Sequence, residues 1–224
     1  MKNDRITHTN NSNGSISSNH IKTLCVDDKK ILWYDLDTTS STMDYAVRMA
    51  REGCDSWTVV SAGKQQSGRG THGRSWFSPD GKGLWVSVVL PPPLKAEDLN
   101  NLSILAARAL IESFKEFTEL PFEIKYPNDV IIKGRKIAGI LFESITSEQR
   151  VVSVVLGMGV NLFQTVEDFE SNGLFEATSF FIETGQVLNY EQFMVSFLGY
   201  FKPMYENSVL GTVHDLSLHS SRKK

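Results

Sequence analysis

Cysteine is nearly absent, with only Cys25 and Cys54 in 224 residues. That count and spacing match no zinc-ligand pattern and supply no disulfide framework, the usage expected of a reducing cytoplasm. Long apolar runs are also missing. None approaches the ~18 residues of a membrane span, and the N-terminus has no apolar segment of signal-peptide type. Blocks of positive charge are scarce. The net charge is −3, and the one basic cluster is Arg222-Lys223-Lys224 at the end. This argues against a nucleic-acid footprint and against a cationic membrane surface. The length suits one sizeable core, at most about one and a half average domains. These totals describe a soluble cytoplasmic protein.

Residues 1–22 are rich in Asn, Ser, Thr and His and are expected to be a disordered tail, too short and polar for a helix-turn-helix domain. Order is expected from near Ile31, where ILWYDL reads as a strand. A helix follows, opened by a capping-box-like Ser41-x-x-Asp44, given an apolar face by Ala46, Val47, Met49 and Ala50, and stopped by Gly53. SWTVVSA and GLWVSVVL read as strands. Leu102, Leu105, Ala106, Ala109, Leu110, Phe114 and Phe117 recur at helical spacing over about 96–118. The period then changes to FEIKY, DVIIK, KIAGILFESI and RVVSVVLGMGVNL, with a hairpin turn centred on Gly134-Arg135 and another at SEQR. A last helix over about 190–206 carries Met194, Phe197, Leu198, Phe201 and Tyr205 on one side and Asn189 as cap. Hairpin-linked strands and blocks of helix predict an α+β fold, a mixed, mainly antiparallel sheet flanked by helices, rather than a Rossmann alternation.

The stretch GKQQSGRGTHGRSWFSPDGKG, residues 63–83, fits neither helix nor strand. Gly68 to Ser75 nearly matches a P-loop, with Arg74 in place of lysine. A P-loop must run straight into a helix, and Pro79, Gly81 and Gly83 forbid one here. A plain surface link would explain the glycines but rarely needs about 20 residues. Glycines let backbone N–H groups approach an anion, arginine offers a fork to carboxylate or phosphate, and indole offers a face to a nucleobase. The composition therefore suits a mobile loop that closes over a small anionic ligand carrying an adenine.

Four patterns occur in one order: SST at 40–42, GRGTHGRSWFSPDGKGLWVS, KYPNDV at 125–130 with KIAGILFES at 136–144, and GMGVN at 157–161. Together they resemble the catalytic domain of the biotin–protein ligase family, over most of the chain from about Ile31 to the last helix (31–206). The resemblance implies a fold like class II aminoacyl-tRNA synthetases and two half-reactions. The biotin carboxylate attacks the α-phosphate of ATP to give biotinyl-5'-AMP and pyrophosphate. The ε-amine of a carrier-protein lysine then attacks the mixed anhydride and releases AMP. Biotin, ATP and Mg²⁺ held mainly by phosphates are the implied small molecules, with no dedicated protein cage for the metal. The implied acceptor is the biotin carboxyl carrier protein domain of acetyl-CoA carboxylase.

By the same resemblance, Ser41 and Thr42 match positions that bind the ureido ring, and Gln65 a polar contact on the same ligand. Gly68, Arg69 and Gly70 match the loop over the biotin tail and carboxylate. Arg74 matches a phosphate contact, Trp76 the adenine platform, and Asn128 and Asp129 the turn near the phosphates. Asn161, the end of GMGVN, falls with the ATP-binding set. Lys136 matches the lysine that meets the reacting carboxylate and α-phosphate. Gly139 and Gly157 match places where backbone lies against biotin. Lys136, Arg74 and Asp129 thus form the implied catalytic set. Asp129 reads equally as a general base, an organiser of phosphate or water, or a turn residue.

Thr71 departs from the pattern, standing where members carry arginine. Loss of a charged hydrogen bond costs roughly 1.5–3 kcal/mol, so looser retention of the adenylate is expected. No room is seen before Ile31 for a DNA-binding domain. Residues 207–224 are expected to be a short tail, too short for a C-terminal barrel. A stand-alone ligase without a transcriptional role is the reading that follows. A lipoate or octanoate ligase-like enzyme of the same fold, or a degenerate biotin-binding module, are the alternatives. Oligomeric state stays open.

Overall fold

Period-two alternation divides one sheet into two unlike faces. The computed structural model describes residues 7–9, 20–26, 29–92, 99–148 and 150–220. Among them nine strands form a single sheet: β1 (Thr7–Thr9), β2 (His20–Val26), β3 (Lys29–Thr39), β4 (Val59–Gln65), β5 (Gly83–Leu90), β6 (Phe122–Lys125), β7 (Asp129–Ile132), β8 (Arg135–Ser147) and β9 (Arg150–Asn161). The order across the sheet is β1-β2-β3-β4-β5-β9-β8-β7-β6. Only β3 and β4 run parallel, and α1 (Thr42–Arg51) connects them. The remaining pairs are antiparallel, as hairpin connections require. The expected mixed, mainly antiparallel sheet with flanking helices is what is observed.

One face carries Leu84, Val86, Val88, Val154, Leu156, Val160 and Ile140 and is covered by α2 (Leu99–Lys115) and α5 (Tyr190–Ser220). Met194, Phe197, Leu198, Phe201 and Tyr205 are all buried there, as their spacing predicts. Each such side chain contributes about 1.5–3 kcal/mol, so this face holds the main core. The other face is thinner. Leu36, Val60, Val89, Ile145 and Val155 pack under α1 through Met43, Ala46 and Val47.

Several boundaries differ from expectation. Order does not begin near Ile31, because β2 pairs along β3 from His20↔Asp35 to Val26↔Lys29, and Thr7–Thr9 pairs with β2. The expected 1–22 tail therefore contains strand residues, and the remainder of it lies outside the described residues. The alternation Ile21, Thr23, Cys25 against Lys22, Leu24, Val26 did not stand out because a lysine falls on its buried face. The last helix does not stop near 206 but runs to Ser220, through Pro203, so most of the expected 207–224 tail is helical. The β7–β8 turn is centred one residue earlier than expected, on Lys133 and Gly134, whose φ values of 49° and 77° are those of a type I′ hairpin. The segment after β9 also holds two short helices that periodicity missed, α3 (Val166–Glu170) and α4 (Phe180–Thr184). At five residues each, they are too short for a helical period to register.

Lys22 fastens the N-terminal strand to α5. Its ammonium lies 2.8 Å from Asp35 and pairs also with Glu191, and all three groups are largely buried. Asp35 in turn accepts from Ser61, which accepts from the Trp33 indole. Burial works against the lysine charge, but the hydrogen bonds it donates to Asp35 and Glu191 outweigh it and hold the Lys22 pKa above the ordinary value. A raised cation pKa stabilises fully below the unfolded value, about 10.4, and the contribution is lost only as pH rises through the higher folded value. Lys22→Met should therefore cost about 3 kcal/mol in urea unfolding, equally at pH 7 and pH 9. A loss below about 1 kcal/mol would show the triad to be no stronger than a surface pair.

Candidate functional site

The α1 face of the sheet is covered at one end only. Beyond the Val89–Val155–Ile145 end, the positions that alternate onto this face include Ser87 on β5, Gly157 and Gly159 on β9, and Gly139 on β8, with Leu141 opposite Gly157 and Trp85 opposite Gly159 at the margins. Register places Ser87 beside Gly157, and Gly139 directly opposite Gly159. Four adjacent positions thus carry almost no side chain, and they form the floor of a cavity of about 250 Å³. Its walls are the α1 N-terminus, the 65–77 loop, Lys136 and the 169–177 segment.

The expected biotin end is built from a hydrogen-bond chain. Thr42 donates from its amide (2.8 Å) and hydroxyl (3.1 Å) to Gln65 Oε1, and its hydroxyl lies 2.9 Å from Ser87 Oγ. Gln65 Nε2 donates to Ser78 Oγ, which donates to the Trp76 carbonyl. Ser41 is the N-cap of α1, yet its side chain makes no cap hydrogen bond. The capping-box expectation is corrected on both sides. The Ser41 hydroxyl is buried beside the cavity with no partner, and Asp44 turns outward to meet Arg69. The hydroxyl is therefore free for a ligand in the cavity.

The glycine-rich loop spans the gap from β4 to β5 and, as expected, leads into no phosphate-binding helix. A bridge between Arg69 and Ser75 narrows its root, and a short 3₁₀ turn at Thr71–Gly73 forms its tip. Arg69 pairs with Asp44 and, at 2.6 Å, with Glu143. The exposed Arg74 guanidinium bends back onto the Thr71 carbonyl (3.2 Å) and hydroxyl (2.9 Å). Gly68 does not line the cavity. It is packed so tightly against the Trp76 carbonyl and Ser78 that any Cβ would collide, so it shapes the loop root rather than touching a ligand. Gly70 lines the cavity directly.

The indole of Trp76 lies on the glycine floor. A Cβ on Gly139 would come within 2.7 Å of it, and one on Gly159 within 2.3 Å. The space above Gly139, expected to face biotin, is taken here by Trp76, and that above Gly157 by the Met43 methyl. The indole N–H is buried and unpartnered. Lys136 Nζ sits 5.0 Å from the indole centroid and 2.7 Å from Asp129 Oδ1. That carboxylate oxygen makes no aligned hydrogen bond, so the contact is ionic. Asp129 stands behind Lys136 rather than in the cavity wall. Asn128 lines the cavity while its amide donates to the Ile140 carbonyl at 2.9 Å. Asn161, expected among ATP ligands, also lines it, but its side chain is engaged internally. The amide donates to the Thr178 carbonyl (3.0 Å) and the oxygen accepts from Gln164 (3.0 Å).

Thus Ser41, Thr42, Gln65, Arg69, Gly70, Arg74, Trp76, Asn128, Lys136, Gly139, Gly157 and Asn161 share one cavity, with Gly68 and Asp129 just behind it. Sequence reasoning missed Gly159, Ser87 and Met43. The alternation of β5 and β9 carried the signal for the first two, since Ser87, Gly157 and Gly159 fall on one face. It missed the Phe169–Ala177 wall, which has no period. Among the described residues no group of three or more His, Cys, Asp or Glu side chains could hold a metal, and no helix is long and apolar enough to cross a membrane.

A cationic glycine loop over a floor of small residues on an α+β sheet defines a candidate small-ligand site. The chain belongs to the Biotin/lipoate A/B protein ligase family, whose sequence profile matches residues 36–161. It is 39% identical over 133 residues to the bifunctional ligase/repressor BirA of Bacillus subtilis, covering 59% of this chain and 41% of that protein. To the biotin–[acetyl-CoA-carboxylase] ligase of Paracoccus denitrificans it is 39% identical over 129 residues, 57% of this chain and 53% of that protein. The biotin protein ligase of Aquifex aeolicus, solved with biotin and ATP, superposes with a TM-score of 0.66 at 27% identity, covering 80% of this chain and 71% of that one. The chain spans about half the length of the curated relatives it matches.

Gly159→Ala should lift the indole from the floor. The expected result is a red shift and stronger acrylamide quenching of tryptophan emission, with unchanged far-ultraviolet circular dichroism. Trp33 and Trp85 are fully buried and the half-buried Trp57 packs on Phe201 and Tyr205, outside the cavity, so these three supply a constant background. Emission identical to the parent would show that the indole does not rest there.

Proposed function

We propose that the chain is an ATP-dependent biotin–protein ligase that forms biotinyl-5'-AMP and transfers biotin to a lysine ε-amine of a carrier protein. The observation that carries this reading is the convergence on one cavity of an orphan hydroxyl and amide cluster, a bare floor and two cations. A urea has two donors and one strong acceptor. The Ser41 hydroxyl, with Thr42 and Gln65 beside it, matches that demand. A chain of methylenes can lie on Gly157 and Gly159 once the Met43 methyl and the Trp76 indole move off them. The carboxylate then reaches toward Lys136.

Joining a carboxylate to an α-phosphate brings two anions together. Positive charge held where they meet stabilises the transition state more than the separated reactants. Lys136 supplies it, and Asp129 keeps the ammonium on that side of the floor. Arg74, freed from Thr71, is within the same loop to take phosphate oxygens. Mg²⁺ would enter with the nucleotide as part of the substrate, since among the described residues no group of three or more His, Cys, Asp or Glu side chains could hold it. The loop then shields the anhydride from water until the acceptor amine arrives. For Trp76 to serve as an adenine platform, its indole must leave Gly139 and Gly159, which makes room for the acyl chain. Relatives named as biotin–[acetyl-CoA-carboxylase] ligases support a carrier domain of that carboxylase as acceptor. The likeness to class II aminoacyl-tRNA synthetases belongs to the same proposal.

Pyrophosphate release on adding biotin and MgATP tests the reading, with lipoate and octanoate run in parallel. Release with biotin alone is expected. Release with lipoate or octanoate instead would move the assignment within the family, and none with any acid would leave a binding module. Lys136→Ala should lower the adenylation rate by about 10²–10³-fold and leave biotin affinity within about threefold. Equal losses in both would place Lys136 in binding rather than chemistry. Thr71→Arg should lengthen the residence of biotinyl-5'-AMP, measured by its release half-life, and equal half-lives would end that idea.

A further inference from the structure

Lys136 is the second residue of β8, but the sheet alone does not hold its backbone. Its amide donates to the Glu176 carbonyl (2.7 Å), and its carbonyl accepts from the Thr178 amide (2.8 Å). Pairing with β9 starts only at Ala138. On the other side, the register against β7 slips between Val130 and Ile131, so Lys136 sits at an irregularity in the ladder. Such a bulge re-aims a side chain but leaves its direction underdetermined by strand pairing. Something else must fix it.

Glu183 lies in α4, outside the cavity, with its side chain 2% exposed. Its carboxylate accepts from the Thr178 hydroxyl at 2.6 Å and pairs with Lys133 at 3.0 Å and with Arg135. Two of these partners belong to the hairpin just before Lys136, and the third to the strap whose amide holds the Lys136 carbonyl. The carboxylate thus ties both supports of Lys136 to one point. Burial alone would raise its pKa. The hydrogen bonds from Thr178 and Lys133 and the charge of Arg135 outweigh that and hold it below the ordinary range. None of Lys133, Arg135 and Glu183 is in the cavity wall.

We propose that Glu183 is a positioning residue for Lys136, clamping the 133–135 hairpin to the 176–178 strap so that the Lys136 ammonium is set against Asp129 and the cavity floor. The proposal rests on the ligase reading for its kinetic consequence. Charge stabilisation falls off steeply with misplacement, and about 1 Å can cost on the order of 10²-fold in rate.

The test compares the parent chain with Glu183→Gln, Thr178→Val and the pair Lys133→Ala/Arg135→Ala. Biotin-dependent pyrophosphate formation should show kcat lowered about tenfold or more in Glu183→Gln, and less in the other two, with KM for biotin within about twofold. A second readout needs no turnover. Sparse acetylation of the ligand-free protein, mapped by peptide mass spectrometry, should label Lys136 about threefold faster in Glu183→Gln, because the ammonium leaves Asp129. The exposed Lys64 and Lys125 should label at the parent rate. A lowered melting midpoint with unchanged kcat and unchanged Lys136 labelling would make Glu183 merely structural and overturn the proposal. Should Glu183→Gln not fold, the other two variants carry the same comparison, since their changes leave the carboxylate in place. If the parent chain itself is inert with biotin and ATP, the ligase reading fails. The labelling ratio then decides the positioning role alone, with equal labelling overturning it.

Discussion

The glycines at 139, 157 and 159, with Ser87 beside them, are the constraint on which the rest depends. Side chains on a pleated sheet stand some way above the backbone, and where they are missing on adjacent strands a trough opens. Here the register brings Gly139 opposite Gly159 and Ser87 beside Gly157. The trough is therefore two strands wide rather than a single notch. The same strands carry Val86, Val88, Leu156 and Val160 on their opposite face, where α2 and α5 seal them. The floor is consequently stiff although one of its faces is bare. A Cβ at 139 or 159 would not merely narrow the trough. It would displace the indole that rests there.

Every cation at the cavity is already engaged by this chain. Arg69 meets Asp44 and Glu143, Lys136 meets Asp129, and Arg74 meets the Thr71 carbonyl and hydroxyl. The Arg69 pairs are substantially exposed, and pairs of that kind contribute about 0–1 kcal/mol. A bound carboxylate or phosphate can replace such partners at little cost. Positive charge is thus kept near the cavity without being left unpaired, and the loop is held by contacts weak enough to exchange.

Much of this was legible in the residues. The heptad-like spacing of α2 and α5 and the alternation of β5, β8 and β9 are strong periodic signals, and those elements were read nearly as they stand, except that α5 runs on past 206 to Ser220. The motif residues proved to share one cavity because each sits on, or just beyond, such an element. What escaped had a physical reason. Strand β2 has the right alternation, but its Lys22 is a buried charge, and burial of a lysine depends on carboxylates at positions 35 and 191 that no local window contains. The indole's seat on Gly139 and Gly159 joins residues more than sixty positions apart. The pairing of Asp44 with Arg69 overrode a good capping-box pattern, because a guanidinium in reach binds that carboxylate more strongly than a backbone amide does. The 162–189 segment is held by caps and side-chain bonds rather than by period, so no element in it was read before the Asn189 cap.

Ser87, Thr42, Gln65, Ser78 and the Trp76 carbonyl form one continuous hydrogen-bonded chain from the floor to the loop. Its members are buried or half-buried, so breaking any link would leave a polar group short of partners, at about 1–3 kcal/mol. The loop root is therefore tied to the floor, and the Arg69–Ser75 bridge narrows it further. The tip from His72 to Ser75 is exposed and is held chiefly by the Arg74–Thr71 contacts. Rearrangement that admits a ligand is thus cheapest at the tip and at the Trp76 side chain, while the residues around the polar end keep their positions. The division places a rigid polar end and a more weakly held tip on the same loop, and it follows from where the glycines, Gln65 and Ser78 fall in the chain.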